Sequence, residues 1–209
     1  VGWCPIVSLK NHWESAYSTK AVNDRSWSES GESDALDEFD LSDLSIEKRI
    51  IDVGGGASTF VRSLVQRGYS HVTVLDISQA AIAEAKSMLG IASESVDWIV
   101  ADILKWEPTE TYSYWNDRAV FHFLVNEEEQ QNYVGKVLHA TQPGSHIVIA
   151  AFAPNGPESC SGLPVKRWSQ EELAKLFADS CSVVRSGQRV HITPWGSEQS
   201  FAWVHLLRN

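Results

Sequence analysis

From position 48 onward, short apolar runs alternate with stretches whose apolar positions recur at helical spacing. The runs predict strands over 49–53, 72–76, 96–101, 114–121 and 145–152, and the spacing predicts helices over about 57–68, 79–89, 127–140 and 169–179. In the first helix Phe60, Val61, Leu64 and Val65 share a face and Gly68 follows as a C-cap. In the second, Ser78 is the N-cap and Ala81, Ile82, Ala85, Met88 and Leu89 form the buried stripe. Strands that alternate with helices of this length predict an α/β fold, a parallel sheet covered on both faces.

The flanks depart from this rhythm. Residues 1–47 hold Trp3, Trp13 and Trp27 and then an acidic run from Glu29 to Glu47, in which Leu36, Phe39, Leu44 and Ile46 give an imperfect helical spacing. That run reads either as a helix or as a solvated face, and the segment as a lid or cap on one domain spanning 1–209. Pro143-Gly144 is a turn that opens the fifth strand. After it, Pro154, Gly156, Pro157, Gly162 and Pro164 predict a long loop of the kind that carries function. The alternation Val190-His191-Ile192, the break Pro194-Trp195-Gly196 and the run Phe201 to Leu206 predict an antiparallel hairpin at the sheet edge.

With 209 residues, 43% of them hydrophobic, the chain can bury one substantial core. A net charge of −10 argues against a nucleic-acid partner, which requires a basic patch. No apolar run reaches membrane-spanning length and no basic-then-apolar leader is present, so the expectation is a cytoplasmic protein, monomer or homodimer, with no membrane partner. Cys4, Cys160 and Cys181 are odd in number and widely spaced, which fits neither a disulfide framework nor a metal site.

The candidate chemistry begins where the first strand runs into Asp52-Val53-Gly54-Gly55-Gly56-Ala57-Ser58. Three glycines allow a tight turn and close approach to a ligand, and the following helix offers free amides to a carboxylate or phosphate. The second strand ends on Asp76, about twenty residues beyond the last glycine, where a carboxylate can accept from both ribose hydroxyls. The third ends on Asp102, placed to accept from an adenine amine, with Ile77 and Ile103 forming an apolar slot for the ring. Each acid alone reads equally as a local cap; three in order at strand ends read as a nucleotide-cofactor site.

These motifs resemble those of the class I S-adenosylmethionine-dependent methyltransferases over roughly residues 48–153. The resemblance implies a Rossmann-like seven-stranded sheet in the order 3-2-1-4-5-7-6, strand 7 antiparallel, with helices on both faces. It implies S-adenosylmethionine as cofactor, with Asp52, Gly54, Gly55, Gly56 and Ser58 at its methionine part, Asp76 at the ribose, and Asp102 with Ile103 at the adenine. Ser58 stands where many members have a further glycine. The segment Asn116-Asp117-Arg118-Ala119-Val120-Phe121-His122-Phe123-Leu124 resembles the fourth motif of a bacterial-type subgroup, as the opening His12 to Lys20 and Ser26-Trp27 resemble its N-terminal segment, which folds over the cofactor.

Methyl transfer from a sulfonium is an in-line displacement governed by alignment, so a general base is optional. His122 after the fourth strand reads as a base near the methyl or as a packed histidine between Phe121 and Phe123. Asp117 reads as a contact to the cofactor's amino end or as a salt bridge to Arg118. Cys160 in the long loop reads as a substrate-facing thiol or a small space-filler. Tyr17 and Trp27 could close a lid over the methyl, and His191 and Trp195 could wall the same pocket or simply pack in the hairpin. The leading expectation is methyl transfer to the sulfur, nitrogen, oxygen or heavier chalcogen of a small molecule. The alternatives are a protein lysine methyltransferase, an NAD-dependent oxidoreductase, against which stands the lack of a Tyr-x-x-x-Lys pair, and a cofactor-binding module without turnover.

Overall fold

The computed structural model describes residues 8–21, 24–28, 41, 44–56 and 58–209. Trp3, Cys4, Ala57 and most of the acidic run predicted as a helix or solvated face lie outside these residues. Among the described residues there are nine strands: β1 Ile50–Val53, β2 Val72–Asp76, β3 Val96–Val100, β4 Tyr112–Arg118, β5 Thr141–Phe152, β6 Ser159–Cys160, β7 Leu163–Pro164, β8 Cys181–Ile192 and β9 Glu198–Arg208. Among the described residues, five α-helices accompany them: α1 Leu9–Thr19, α2 Phe60–Gln66, α3 Gln79–Leu89, α4 Glu127–Ala140 and α5 Gln170–Leu176.

Seven strands form one sheet in the order β3-β2-β1-β4-β5-β9-β8, and β6 pairs with β7 in a separate two-stranded ribbon. The first five sheet strands run parallel; β9 is antiparallel to both β5 and β8. With the small ribbon left out of the count, this is the order that the resemblance implies.

Alternation along each strand divides the core into two layers. Ile51, Val53 and Trp115 face α4 and α5, meeting Tyr133, Val137, Leu173 and Phe177. Ile50 and Tyr114, one residue away, face the other side and meet Phe60, Val61, Leu64 and Ile82 of α2 and α3. All four residues of β1 are buried, which is why this strand reads as an unbroken apolar run closed by Asp52.

Several boundaries differ from the sequence expectation, each for a local reason. Helix α2 begins at Phe60, three residues later than expected, because the Ser58 hydroxyl accepts from the Phe60 N–H and the chain is still turning. Its end matches: Gly68 adopts φ +86°, and Tyr69 N–H and Gly68 N–H return to the carbonyls of Leu64 and Val65. Strand β4 stops at Arg118 because Ala119 turns left-handed, φ +72°, and 121–123 form a 3-10 turn. The Pro143-Gly144 turn is a bulge inside β5, with Gly144 at φ +88° and Gln142 N–H donating to Ser145 Oγ. Met88, expected in the buried stripe of α3, is 46% exposed; Ala81, Ile82 and Ala85 carry that face. The hairpin is longer than its alternating tail suggested, starting at Cys181 and ending at Arg208.

Helix α1 lies on α3. Its Glu14 accepts from Ser78 Oγ at 2.9 Å and from Ala80 N–H at 3.3 Å, so it sits over the start of α3. Buried Arg25 fastens the return of the chain: Nη1 donates to both carboxylate oxygens of Glu84 at 2.7 Å, while Nη2 and Nε reach the carbonyls of Tyr17 and Lys20. The guanidinium also stacks 4.7 Å from the Tyr17 ring centroid. Arg25→Met removes every one of these bonds and should weaken docking of residues 8–28 by about 3 kcal/mol. Because Glu84 can rehydrate, the expected readout is faster proteolysis and amide exchange confined to that segment, with little change in the melting of the sheet.

Candidate functional site

The parallel strands deliver their C-terminal ends to one edge, and there the chain folds its acids inward. Asp52 is buried: Asn116 Nδ2, its register partner on β4, donates to Oδ1 at 2.7 Å, and Ser58 Oγ donates to Oδ2 at 2.9 Å. Asp76 is buried too, accepting from Gly56 N–H at 3.0 Å and Ser78 N–H at 2.8 Å. Burial pushes the Asp76 carboxyl up to about 6; the amides of Ser78, Gly56 and Ile77 pull it down, and the charge of Glu14 adds to the rise.

The glycine turn answers to these carboxylates more directly than to a ligand. A Cβ on Gly55 would stand 2.2 Å from Asp52 Oδ2, and one on Gly56 would stand 2.7 Å from Asp76 Oδ2 and 2.5 Å from Ala81 Cβ. Gly54 adopts φ +69° and faces Val120, whose Cγ2 would lie 2.1 Å from an added Cβ. Ser58 is more than a tolerated departure from glycine, since its hydroxyl holds Asp52 and caps the start of α2.

A cavity of about 340 Å³ opens above this edge. Its floor is Asp52, Gly54, Gly55, Ser58, Asp76, Ile77, Asp102 and Ile103; its roof brings Trp13, Tyr17, Trp27, Arg118, Phe123 and Cys160 from distant parts of the chain. Asp102 is partly exposed, accepts from Leu104 N–H at 3.1 Å and lies 3.5 Å from Lys105 Nζ. The roof is aromatic and interlocked: Trp13 meets Trp27 and Phe123 edge-on at 5.3 and 5.2 Å between centroids, and Trp27 Nε1 donates to the Tyr17 hydroxyl at 2.9 Å. Burial, with the Asp76 charge second, pushes the Tyr17 phenol well above its ordinary value, so it stays protonated.

Other expected site residues stand elsewhere. His122 is fully buried behind the wall, 4.5 Å from Phe152 and 4.4 Å from Phe123 between centroids, with Nδ1 accepting from Phe152 N–H. Burial alone drives its pKa down to about 3, so it is a neutral packed histidine. Asp117 is also fully buried and makes no ion pair with Arg118; its Oδ2 accepts from Tyr133, and Oδ1 from Val120 N–H at 2.8 Å. Burial raises its carboxyl to about 6 against those bonds. It therefore shapes the Ala119-Val120 turn instead of meeting a ligand. Gly56 acts from behind the cavity wall through Asp76. Trp195 is 56% exposed in the β8–β9 turn and does not line the cavity. His191 is buried beneath the roof, with Nε2 at 2.8 Å from the Ser26 carbonyl. Cys160 does line the cavity, and burial pushes its thiol up to about 11. Among the described residues no group of three or more metal-ligating side chains converges, and no helix is long and apolar enough to cross a membrane.

Residues 50–144 match the family model described as "Methyltransferase domain". Over that stretch, a little under half of its length, the chain is similar to this methyltransferase family. Among its relatives is a malonyl-[acyl-carrier protein] O-methyltransferase of Ilyobacter polytropus, 27% identical over 146 residues, 65% of this chain and 55% of that protein. Another is an EEF1A lysine methyltransferase of Danio rerio, 23% identical over 197 residues, 86% of this chain and 77% of that one. This chain thus spans only about half the length of the first relative. A solved structure of Burkholderia thailandensis 1,6-didemethyltoxoflavin-N1-methyltransferase, with its substrate and S-adenosylhomocysteine bound, superposes with a TM-score of 0.72 at 14% identity, covering 96% of this chain and 87% of that one. At that identity it shows a shared fold.

Sequence reasoning missed Trp13, Glu14, Arg25, Asn116 and Arg118. The spacing Leu9, Trp13, Tyr17 after Ser8 is an N-capped helical stripe that could have revealed α1. Arg25 carried no such signal, since its partner Glu84 lies fifty-nine residues away. Because the folded state keeps His122 neutral down to about pH 3 while an unfolded histidine protonates near 6.5, its contribution to stability is complete above 6.5 and is lost as pH falls toward 3. The stability advantage of the wild type over His122→Gln should therefore shrink between pH 6.5 and 4 in denaturant titrations.

Proposed function

We propose that the methyltransferase moves the methyl group of S-adenosylmethionine to a nucleophilic heteroatom, sulfur, nitrogen, oxygen or a heavier chalcogen, of a small molecule. The observation that carries this reading is a cavity with an acid and glycine floor under an aromatic roof. The floor fits the cofactor: Asp52, Gly54, Gly55 and Ser58 would hold its methionine part, Asp76 its ribose, and Ile77, Asp102 and Ile103 its adenine. When bound, the cofactor supplies an electrophilic methyl on a positively charged sulfur. The chain's share is to exclude water and align the acceptor, and orientation of this kind is worth roughly 7 to 11 kcal/mol. Among the described residues, the Cys160 thiol and Tyr17 phenol at the cavity stay protonated and His122 stands behind the wall. An acceptor that ionises in solution suits such a site.

The likeness to a lysine methyltransferase favours a second reading, a protein acceptor. The aromatic lining of Trp13, Tyr17 and Trp27 weighs against it, since it suits a small apolar or aromatic acceptor. Incubation with methyl-labelled cofactor and a panel of small thiols, phenols and amines should label at least one of them. Labelling of a protein band in a lysate, with the whole panel inert, would establish the second reading instead.

Asp76 gives a separate check on the cofactor assignment. Only the ionised carboxylate can accept from both ribose hydroxyls, and its pKa is about 6. The Kd for S-adenosylhomocysteine, measured by calorimetry, should be flat above pH 6 and rise about tenfold per unit below it. Asp76→Asn should bind more weakly throughout and lack this slope.

A further inference from the structure

Charge is distributed unevenly around the cavity. The floor carries Asp52, Asp76 and Asp102, whereas the roof, which Trp27 and Cys160 also line, carries the cation Arg118. Arg118 Nη2 donates to the Trp27 carbonyl at 3.4 Å. Lys20, at the end of α1, donates from Nζ to Ser161 Oγ at 3.4 Å beside Cys160. The β6–β7 ribbon holds Cys160 there through the turn at Ser161 and Gly162, φ +54° and +81°. The aromatic rings of the roof exclude water, so a fixed guanidinium acts more strongly there than in solution. Cys160 registers that field: although burial raises its thiol, Lys20 and Arg118 both pull it down.

We propose that Arg118 is an acceptor-recognition residue and that the acceptor is a small acidic molecule bound as its anion, a thiolate, phenolate or carboxylate, in preference to an amine. The inference rests on the methyltransferase reading above and names its acceptor class. Arg118 holds the ionised heteroatom at the roof while the acids of the floor face the positively charged part of the cofactor. The proton has left to solvent before transfer. The anion's lone pair then forms the bond to the methyl carbon as the carbon–sulfur bond breaks, and that electron pair remains on the departing sulfur. No general base is needed, in keeping with the neutral state of Tyr17 and Cys160 and the position of His122. The other charged groups on the cavity wall are Lys105, beside Asp102, and Glu129 in the first turn of α4.

The test reads ionisation of a bound acceptor directly. 4-Nitrophenol and 4-nitrothiophenol are titrated spectroscopically in the presence of the enzyme saturated with S-adenosylhomocysteine, with 4-nitroaniline as the uncharged analogue of similar shape. The bound phenol and thiol should ionise about one pH unit lower than in buffer, equivalent to about tenfold tighter binding of the anion, and 4-nitroaniline should bind more weakly. Arg118→Met should abolish the shift while keeping its affinity for S-adenosylhomocysteine, which reports that the fold is intact; Arg118→Lys should restore part of it. An unchanged or raised ionisation constant, the same shift in Arg118→Met, no binding of either acid, or tighter binding of 4-nitroaniline would each overturn the proposal. A turnover assay with labelled cofactor on the same panel separates the two levels: methylation of amines with no dependence on Arg118 leaves the methyltransferase reading standing and removes this one.

Discussion

Two carboxylates buried at the end of a parallel sheet are the constraint around which this structure is arranged. Asp52 and Asp76 sit at the C-terminal ends of neighbouring strands, and each requires donors in an environment that penalises unpartnered charge. The glycine turn meets both needs. Gly55 and Gly56 leave the space that the carboxylates fill, and Gly56 turns its own amide onto Asp76. A side chain on either glycine would displace the acid it shelters, so turn and acids form one unit. That explains why a glycine motif carries information here only when read with the acids that follow it.

A second layer of order comes from the segment preceding the sheet. Glu14, Tyr17, Arg25 and Trp27 are bound to α3, to one another and to the roof of the cavity, so residues 8–21 and 24–28 form a strap fastened to the domain. Its aromatic rings meet Phe123 beyond β4, and Trp27 meets Arg118 at the end of β4. The cavity is thus made of two parts with different origins. The floor comes from consecutive strand ends, whereas the roof is assembled from α1, the strap, the β4 exit and the β6–β7 ribbon. Acids concentrate on the first and cations on the second, which gives the enclosed space a direction along which a sulfonium and an anionic nucleophile would align.

His122 and Asp117, both expected at the site, are placed by the fold in the core instead. Both lie in the segment 116–124, whose Arg118, Ala119, Val120, Phe123 and Leu124 line the cavity, while these two side chains are buried in the core. His122 packs among phenylalanines, and Asp117 holds the amides that shape the Ala119-Val120 turn. Arg118, close to both in sequence, is the charged residue of this segment that lines the cavity.

The sequence by itself determined the alternation of strands and helices, the parallel sheet, the positions of Asp52, Asp76 and Asp102 at its edge and the cofactor class. These follow from local rules: apolar runs of strand length, helical spacing, caps, and glycines followed by acids. Tertiary structure alone decided which side chains complete the cavity. Arg25 finds Glu84, Lys20 finds Ser161, and Trp27 finds Arg118 across dozens of intervening residues, and no local spacing encodes those meetings. Burial decided the rest, making His122 a neutral core residue and Cys160 a protonated thiol, because a group's chemistry depends on the water and charge around it, which are properties of the folded chain.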